Sequence, residues 1–504
     1  MAECDHSENA KTTNGLLLQI AALESEIAKT QAVLLEQQEK HRRLRSQLNS
    51  LSPINQLPAE IKTEIFHKTL GLLADSKETE EGETPFFLGK ICKSFRYFIW
   101  STPILWTTIR LWLTKAQYEA QTDLLRDWLP RTANYPISFS LDTIEGPNSW
   151  IRRPPVEILT LLASFSAQWK EVRFIIPDTA YQCFDANPGV KKFLPLLTTA
   201  SAYVTTEQRL DLSMAPQLSV LHLDKFVPGI LVPWHQLREL SIYGCTMNQI
   251  RLIFFNAPQI IDCTFTDIDP EMSEDLLDIA LFHQQVSVLE HLEYLELGFY
   301  AIHSEMSWML EQVKFPSLRE VSLTGPFGSL PEEAFLLQIV KPFRSSTLLE
   351  IFTFYNSKKP SDNRVLTQVL ENIPSVIDLS LDFCKEYSGD EFFSEELLQR
   401  LYSPHADILL PNLQYFTYCG PTLLTEHMYL FRDVLVYRFR QHDLQLVEVD
   451  SEQRTVSQIQ SVDVMSLSHF VISPDIQEEL DTLRRDGLEL SITHSRSSLE
   501  SERG

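Results

Sequence analysis

One short pattern recurs along most of this chain: an apolar residue, two others, a second apolar residue, one other, and a third. It appears as Trp169/Val172/Phe174, Leu218/Leu221/Leu223, Leu237/Leu240/Ile242 and Ile260/Cys263/Phe265. It continues as Leu292/Leu295/Leu297, Leu318/Val321/Leu323, Leu349/Phe352/Phe354, Val376/Leu379/Leu381 and Leu413/Phe416/Tyr418. From Leu218 onward, successive starts lie between 19 residues (Leu218 to Leu237) and 37 residues (Val376 to Leu413) apart. The alternation of the second and third apolar residues fits a half-buried strand. Between such runs, Leu366, Val369, Leu370 and Ile373 space as a helical face, with Ser361 or Asp362 available as cap. Phe335, Leu336, Ile339 and Val340, after Glu332-Glu333, do the same. A single strand-plus-helix unit cannot bury its own apolar face, so the units must stack on one another.

The template and its spacing resemble leucine-rich repeats of irregular length. Several copies open with a proline two residues before the first apolar residue: Pro216, Pro258, Pro316, Pro374 and Pro411. Cys245 and Cys384 fall where such repeats place Asn or Cys. We therefore expect a repeat solenoid over residues 161–440, with a transitional or capping segment at 107–160. Within that segment Ile109, Leu111 and Leu113 alternate, and Pro136–Leu141 (PISFSL) is a second apolar run. A C-terminal cap is expected at 441–490, with a last helix near Asp475–Arg485, and a polar, serine-rich disordered tail at 491–504.

Upstream, a 4-3 spacing runs through Leu16, Ile20, Leu23, Ile27, Thr30, Leu34, Gln37, His41, Leu44, Leu48 and Leu51. Glu, Gln, Lys and Arg fill much of the remainder, and neither proline nor glycine interrupts it. This predicts a coiled-coil helix of about five heptads over residues 16–51, after a disordered stretch at 1–15. The seam implies self-association or a partner helix, or else a long helix folded back on its own domain.

Residues 52–106 read as a small all-α module. In PINQLPAEIKTEIFHKTL (Pro53–Leu70), Pro58 suits a first helical turn, and Ile61, Ile65, Phe66 and Leu70 form a broad apolar face. The acidic stretch Asp75–Thr84 reads as a solvated loop. Leu88, Ile91, Cys92, Phe95 and Ile99 then fall on one helical face, ended by Ser101-Thr102-Pro103 and followed by Ile104-Leu105-Trp106. About 50 residues of this kind cannot bury all their apolar surface alone.

Leu57–Phe66 (LPAEIKTEIF) with Leu88–Trp106 (LGKICKSFRYFIWSTPILW) resembles the F-box motif, in the form common in mushroom-type fungi. That form often follows a heptad helix and precedes leucine-rich repeats. The resemblance implies docking on a Skp-type adaptor, and through it a cullin and a RING ubiquitin ligase. Its adaptor contacts map onto Leu57, Pro58, Ile61, Ile65, Phe66, Ile91, Cys92, Phe95 and Trp106. Two departures stand out: Phe95 replaces the usual tryptophan, and the acidic insert lengthens the connection. Without the resemblance, the same helices read as a cap on the repeats, with a wholly internal apolar face.

Charge and composition narrow the function classes. Forty-three basic against 68 acidic residues give a net −25, which repels phosphate backbones and anionic membranes. No apolar run reaches the ~18–20 residues of a membrane span, and the N-terminus does not read as a signal peptide. Seven scattered cysteines without a Cys-x-x-Cys pair read as reduced thiols in cytosol or nucleus. Cys245 and Cys263, with His222 and His235 upstream, read as buried structural thiols rather than metal ligands. No Gly-x-Ser-x-Gly, His-Glu-x-x-His or phosphate-loop spacing occurs, so no catalytic residue, metal or cofactor is expected.

The expected fold is α+β and multi-part: a coiled-coil helix, a small all-α F-box module, and an irregular α/β leucine-rich-repeat solenoid. The expected function is a non-enzymatic receptor that binds the Skp-type adaptor with its module and a target protein with its repeats. The alternative is a recognition scaffold with no ubiquitin-ligase link. Neither reading includes nucleic acid or membrane as a partner.

Overall fold

The computed structural model describes residues 3–75, 84–144, 146–177, 179–181, 194–204, 211–227, 230–269, 287–300, 310, 313–358, 364–383, 395–402, 408–420, 427–444, 456–466 and 471–494. Most of the acidic stretch (76–83), Ser361, Asp362, Cys183, Cys384 and the tail from residue 495 lie outside them. The chain forms two compact units, Met1–Thr107 with Arg131–Ala133, and Thr108–Pro130 with Asn134–Gly504.

The first unit is helical: α1 (Glu3–Ser50), α2 (Pro53–Gln56), α3 (Ala59–Asp75), α4 (Pro85–Ile91), α5 (Lys93–Trp100) and a 3-10 turn at Pro103–Trp106. Prolines open α2, α4 and the 3-10 turn, where their missing N–H is least costly. Helix α1 begins at Glu3, so residues 3–15, expected as disordered, belong to the long helix instead. Leu88 to Ile99 is two helices rather than the single expected face. Cys92 adopts an extended backbone between them and caps α5, its Sγ accepting from the Phe95 N–H at 3.4 Å.

The second unit is built on strands β1 (Thr108–Leu113), β2 (Ile137–Thr143), β3 (Trp169–Ile175), β4 (Thr199–Ala202), β5 (Val220–Leu223), β6 (Glu239–Ile242), β7 (Cys245–Thr246), β8 (Asp262–Asp269), β9 (Ser287–Val288), β10 (Tyr294–Phe299), β11 (Val313–Lys314), β12 (Glu320–Gly325), β13 (Ile351–Asn356), β14 (Asp378–Phe383), β15 (Tyr415–Gly420), β16 (Ser461–Ser466) and β17 (Glu489–His494). Except for the separate β9–β11 pair, these make one 15-stranded sheet. Neighbours follow chain order from β1 to β17, all parallel, with β7 beside β8.

The recurring template explains the register. Leu221, Leu240, Cys263, Leu295, Val321, Phe352, Leu379 and Phe416 fall on one row across eight adjacent strands. Two residues on, Leu223, Ile242, Phe265, Leu297, Leu323, Phe354, Leu381 and Tyr418 make a second row. Both rows are buried, and the residues between them face outward. Connecting helices cover the inner side: Ile250, Ile253 and Phe254 from Met247–Asn256, Val369 and Leu370 from Arg364–Glu371, Leu397 and Leu398 from Glu395–Tyr402.

The sheet extends beyond the expected bounds of the repeats. β1 and β2 lie in the segment read as transitional, yet they head the same ladder. β16 and β17, with the helix Pro474–Arg485 between them, continue it through the segment read as a cap. β17 runs to His494, so residues 491–494, expected in the disordered tail, are strand instead.

Two buried polar side chains serve this frame. Asn356 accepts from the N–H groups of Phe327 and Lys358 at 2.9 and 3.1 Å and donates to the Phe327 carbonyl at 3.0 Å. Arg438, in the helix Met428–Leu444, donates to the carbonyls of Leu401, Leu410 and Leu409 at 2.9, 2.9 and 2.5 Å. Burial lowers its pKa to about 10. Three carbonyls converging on one planar fork satisfy a buried cation without a carboxylate.

Candidate functional site

The helical unit encloses an aromatic centre. Phe66 on α3 meets Phe95 and Phe98 on α5 edge to face, with ring centroids 4.9 and 5.8 Å apart. Phe86, Trp100 and Trp106 form a second cluster, with Phe86–Trp106 at 5.0 Å and Trp100–Trp106 at 5.3 Å. The Trp106 indole donates to the Ile99 carbonyl at 2.8 Å, and the Arg131 guanidinium lies over both indoles. Gly89 lets α4 approach Trp100, since a Cβ there would lie 2.4 Å from the ring. The Arg96 side chain ties the two helices by donating to the Gly89 carbonyl at 2.9 Å.

This centre divides the nine sequence-predicted contact residues. Phe66 and Trp106 are buried, 3% and 0% exposed, and act in internal packing rather than as open surface. Leu57, Cys92 and Phe95 are half-buried. Pro58, Ile61, Ile65 and Ile91 are exposed. The broad face of α3 is thus split. Phe66 and the half-buried Leu70 turn inward, while Ile61 and Ile65, one turn apart, turn outward beside the Glu64–Lys68 ion pair. Exposed Phe87 and Tyr97 on α4 and α5 were not among the expected contacts. No spacing marks them, because both sit in aromatic-rich runs whose other members are internal.

The outward face of the sheet is a second candidate surface. Its central row is rich in hydroxyls, with Ser140, Ser201, Ser241 and Thr264 alternating with Arg110, Arg173 and His222. There a groove of about 580 Å³ is lined by all of these side chains but Thr264, with Glu171, Asp224 and Thr266 beside them. Buried Asp142, whose carboxylate accepts from Ser140, lies 3.9 Å from Arg173; burial raises its pKa, opposed by that arginine.

Toward the middle of the sheet the face becomes acidic. Burial raises the Asp262 carboxyl, and Glu239 raises it further. Glu320 is raised by burial and by Asp262 and Asp378, and Asp378 by burial. Tyr294, between Asp262 and Glu320 in the register, is raised by burial and by Glu296.

Cys245 and Cys263 are buried free thiols. Burial, then Asp267, pushes Cys245 up to about 12, and burial with Asp262 raises Cys263 well above its ordinary value. Neither is poised as a nucleophile. Among the described residues, no helix is long and apolar enough to cross a membrane.

Compared with protein-family models and with curated proteins, the chain matches none. Fold and site therefore define a class only: a helical module with an exposed aliphatic face, and a chain-ordered parallel sheet with a polar outer face.

Proposed function

We propose that the chain is a non-catalytic receptor of the F-box type. Residues 52–106 dock a Skp-type adaptor, which brings a cullin and a RING ubiquitin ligase. The parallel sheet is a leucine-rich-repeat solenoid whose outer face holds a target protein. The observation that carries this reading is the outward aliphatic face of α3, where Ile61 and Ile65, with Pro58 just ahead of the helix, remain exposed beside a filled aromatic centre. A helix that only capped the repeats would have turned its isoleucines inward. Rate enhancement in such an assembly comes from holding the target near the ubiquitin-charged enzyme.

Within this reading, Phe66 and Trp106 support the module from inside, and the docking contacts reduce to Leu57, Pro58, Ile61, Ile65, Ile91, Cys92 and Phe95. The sheet's outer side chains set target preference, because the two inner rows are committed to the core. A pulldown with a purified Skp-type adaptor, comparing the native chain with Leu57→Ala/Pro58→Ala, tests the proposal. Capture of the native chain and loss of the variant are expected. Equal recovery of the two, or none of either, contradicts it.

A further inference from the structure

Helix α1 spans 48 residues, and its apolar stripe is uncovered. Leu16, Ile20, Leu23, Ile27, Leu34, Leu44 and Leu48 are between 51% (Ile20) and 69% (Leu48) exposed. From residue 15 to 49 every residue is exposed but Glu39, which is half-buried. The stripe from Leu16 to Leu48 is about 50 Å long at 1.5 Å per residue. At a helix diameter of ~10–12 Å it offers roughly 500–600 Å² per helix, enough for a specific pair of about 1,000–1,200 Å².

We infer that α1 pairs with α1 of a second copy, as a parallel, in-register, two-stranded coiled coil. The order of polar and apolar layers selects this arrangement. In the heptad frame, Ile20, Ile27, Leu34, His41 and Leu48 take the a positions, and Leu16, Leu23, Thr30, Gln37 and Leu44 the d positions. A parallel pair in register sets every layer against itself, so Thr30, Gln37 and His41 each meet their own kind.

An antiparallel pair sets a against d. There are two polar d residues but only one polar a residue. Any antiparallel alignment that keeps the seam overlapped therefore buries Thr30 or Gln37 against an apolar side chain, twice by symmetry. A parallel pair slipped by one heptad sets His41 against Leu34 or Leu48. Branched Ile at two a positions with Leu at most d positions also favours two parallel strands.

The structure supports burial of the Thr30 layer. Its hydroxyl donates to the Glu26 carbonyl of its own helix at 2.8 Å, so the group stays satisfied when covered. One term opposes the arrangement: Lys40 (g) faces Arg45 (e) of the partner copy. A like-charged surface pair changes association by about two-fold. A polar group buried without a partner changes it by about ten-fold or more, so the layers decide. Glu39 meanwhile pairs with Arg42 and Arg43 at 2.7 and 3.3 Å, neutralising part of the basic segment locally.

This inference does not rest on the adaptor reading, because α1 carries none of the proposed adaptor contacts. Light scattering on the full chain is expected to give twice the 58.1 kDa chain mass. Ile27→Asp/Leu34→Asp is expected to give the single-chain mass while retaining the β-sheet circular dichroism. Under mild oxidation, Leu44→Cys is expected to cross-link to itself beyond the level of the native chain, and higher salt to tighten the dimer. A single-chain mass for the native protein, or a trimer or tetramer, overturns the inference. So does cross-linking in a mixture of Ile20→Cys and Leu44→Cys chains that Leu44→Cys alone does not show.

Discussion

Arg438 ties the helix Met428–Leu444 to Leu401, Leu409 and Leu410 ahead of β15, and its replacement is expected to have a large local effect. The side chain is buried, with no carboxylate beside it among the described residues, and its three nitrogens each donate to a backbone carbonyl, those of Leu401, Leu410 and Leu409. Hydrogen bonds from a charged donor contribute about 1.5–3 kcal/mol each, or roughly 4–9 kcal/mol for three. Against this stands the desolvation that lowers the arginine pKa from its ordinary value to about 10, on the order of 3 kcal/mol.

Arg438→Met removes the cost with the charge but strips the buried Leu401 and Leu409 carbonyls of their arginine donors, at about 1–3 kcal/mol each, while the Leu410 carbonyl keeps the Leu413 N–H at 3.1 Å. We expect a net loss of about 3–5 kcal/mol. Arg438→Lys keeps the charge but replaces the fork by a point donor, and is expected to lose about 2–4 kcal/mol. Hydrogen exchange read by mass spectrometry reports this locally. Protection of strand β15 and the helix Met428–Leu444 should fall about 100-fold or more in Arg438→Met, while β1 to β3 keep theirs. Native-like protection of β15 in both variants would refute the reasoning.

Other outcomes follow from the same geometry. Gly89→Ala sets a methyl 2.4 Å from a Trp100 ring already held by Phe86 and Trp106. Overpacking of about 1–3 kcal/mol outweighs the ~1 kcal/mol gain in helix propensity, so thermal melting of the variant should fall; an unchanged or raised midpoint contradicts the packing account. The raised carboxyls of Asp262, Glu320 and Asp378 bind protons more readily folded than unfolded. Their contribution is full below the ordinary carboxyl range and is lost as pH rises through the raised values. Glu320→Gln should therefore stabilise the chain at pH 7, by less than about 1 kcal/mol at this partly exposed site. That gain should vanish in melts near pH 4, and a pH-independent gain contradicts it.

Much of the sheet was legible because its rows are aliphatic. All nine template copies supply two neighbouring rows of one parallel register, for instance Leu240 beside Cys263 and Val321 beside Phe352. β4 was illegible because its row residues are Ala200 and Ala202, too small to signal a core strand, yet they sit in register with Val172 and Phe174. The break at Cys92 carried no proline or glycine to announce it.

The candidate site was legible in membership but not in orientation. A face holding Ile61, Ile65, Phe66 and Leu70 is apolar all across, and only the position of Phe95 and Phe98 shows that Phe66 is the inward residue. Of the three arginines Arg432, Arg438 and Arg440, nothing in the spacing distinguishes the buried one. Its partners are carbonyls brought together from residues 401–410.

The central claim is tested most directly by titrating a purified Skp-type adaptor into the full chain and into Ile61→Ala/Ile65→Ala. In the free chain these side chains are 49% and 37% exposed. Full burial of an isoleucine contributes about 1.5–3 kcal/mol. Covering what remains exposed should then contribute about 1–2.5 kcal/mol for the pair, and its loss should weaken binding roughly 5–70-fold. Because both residues lie outside the aromatic centre, the variant's melting should match the native chain. Saturable native binding with that loss is the predicted result; equal affinities, or no binding by the native chain, contradict the account.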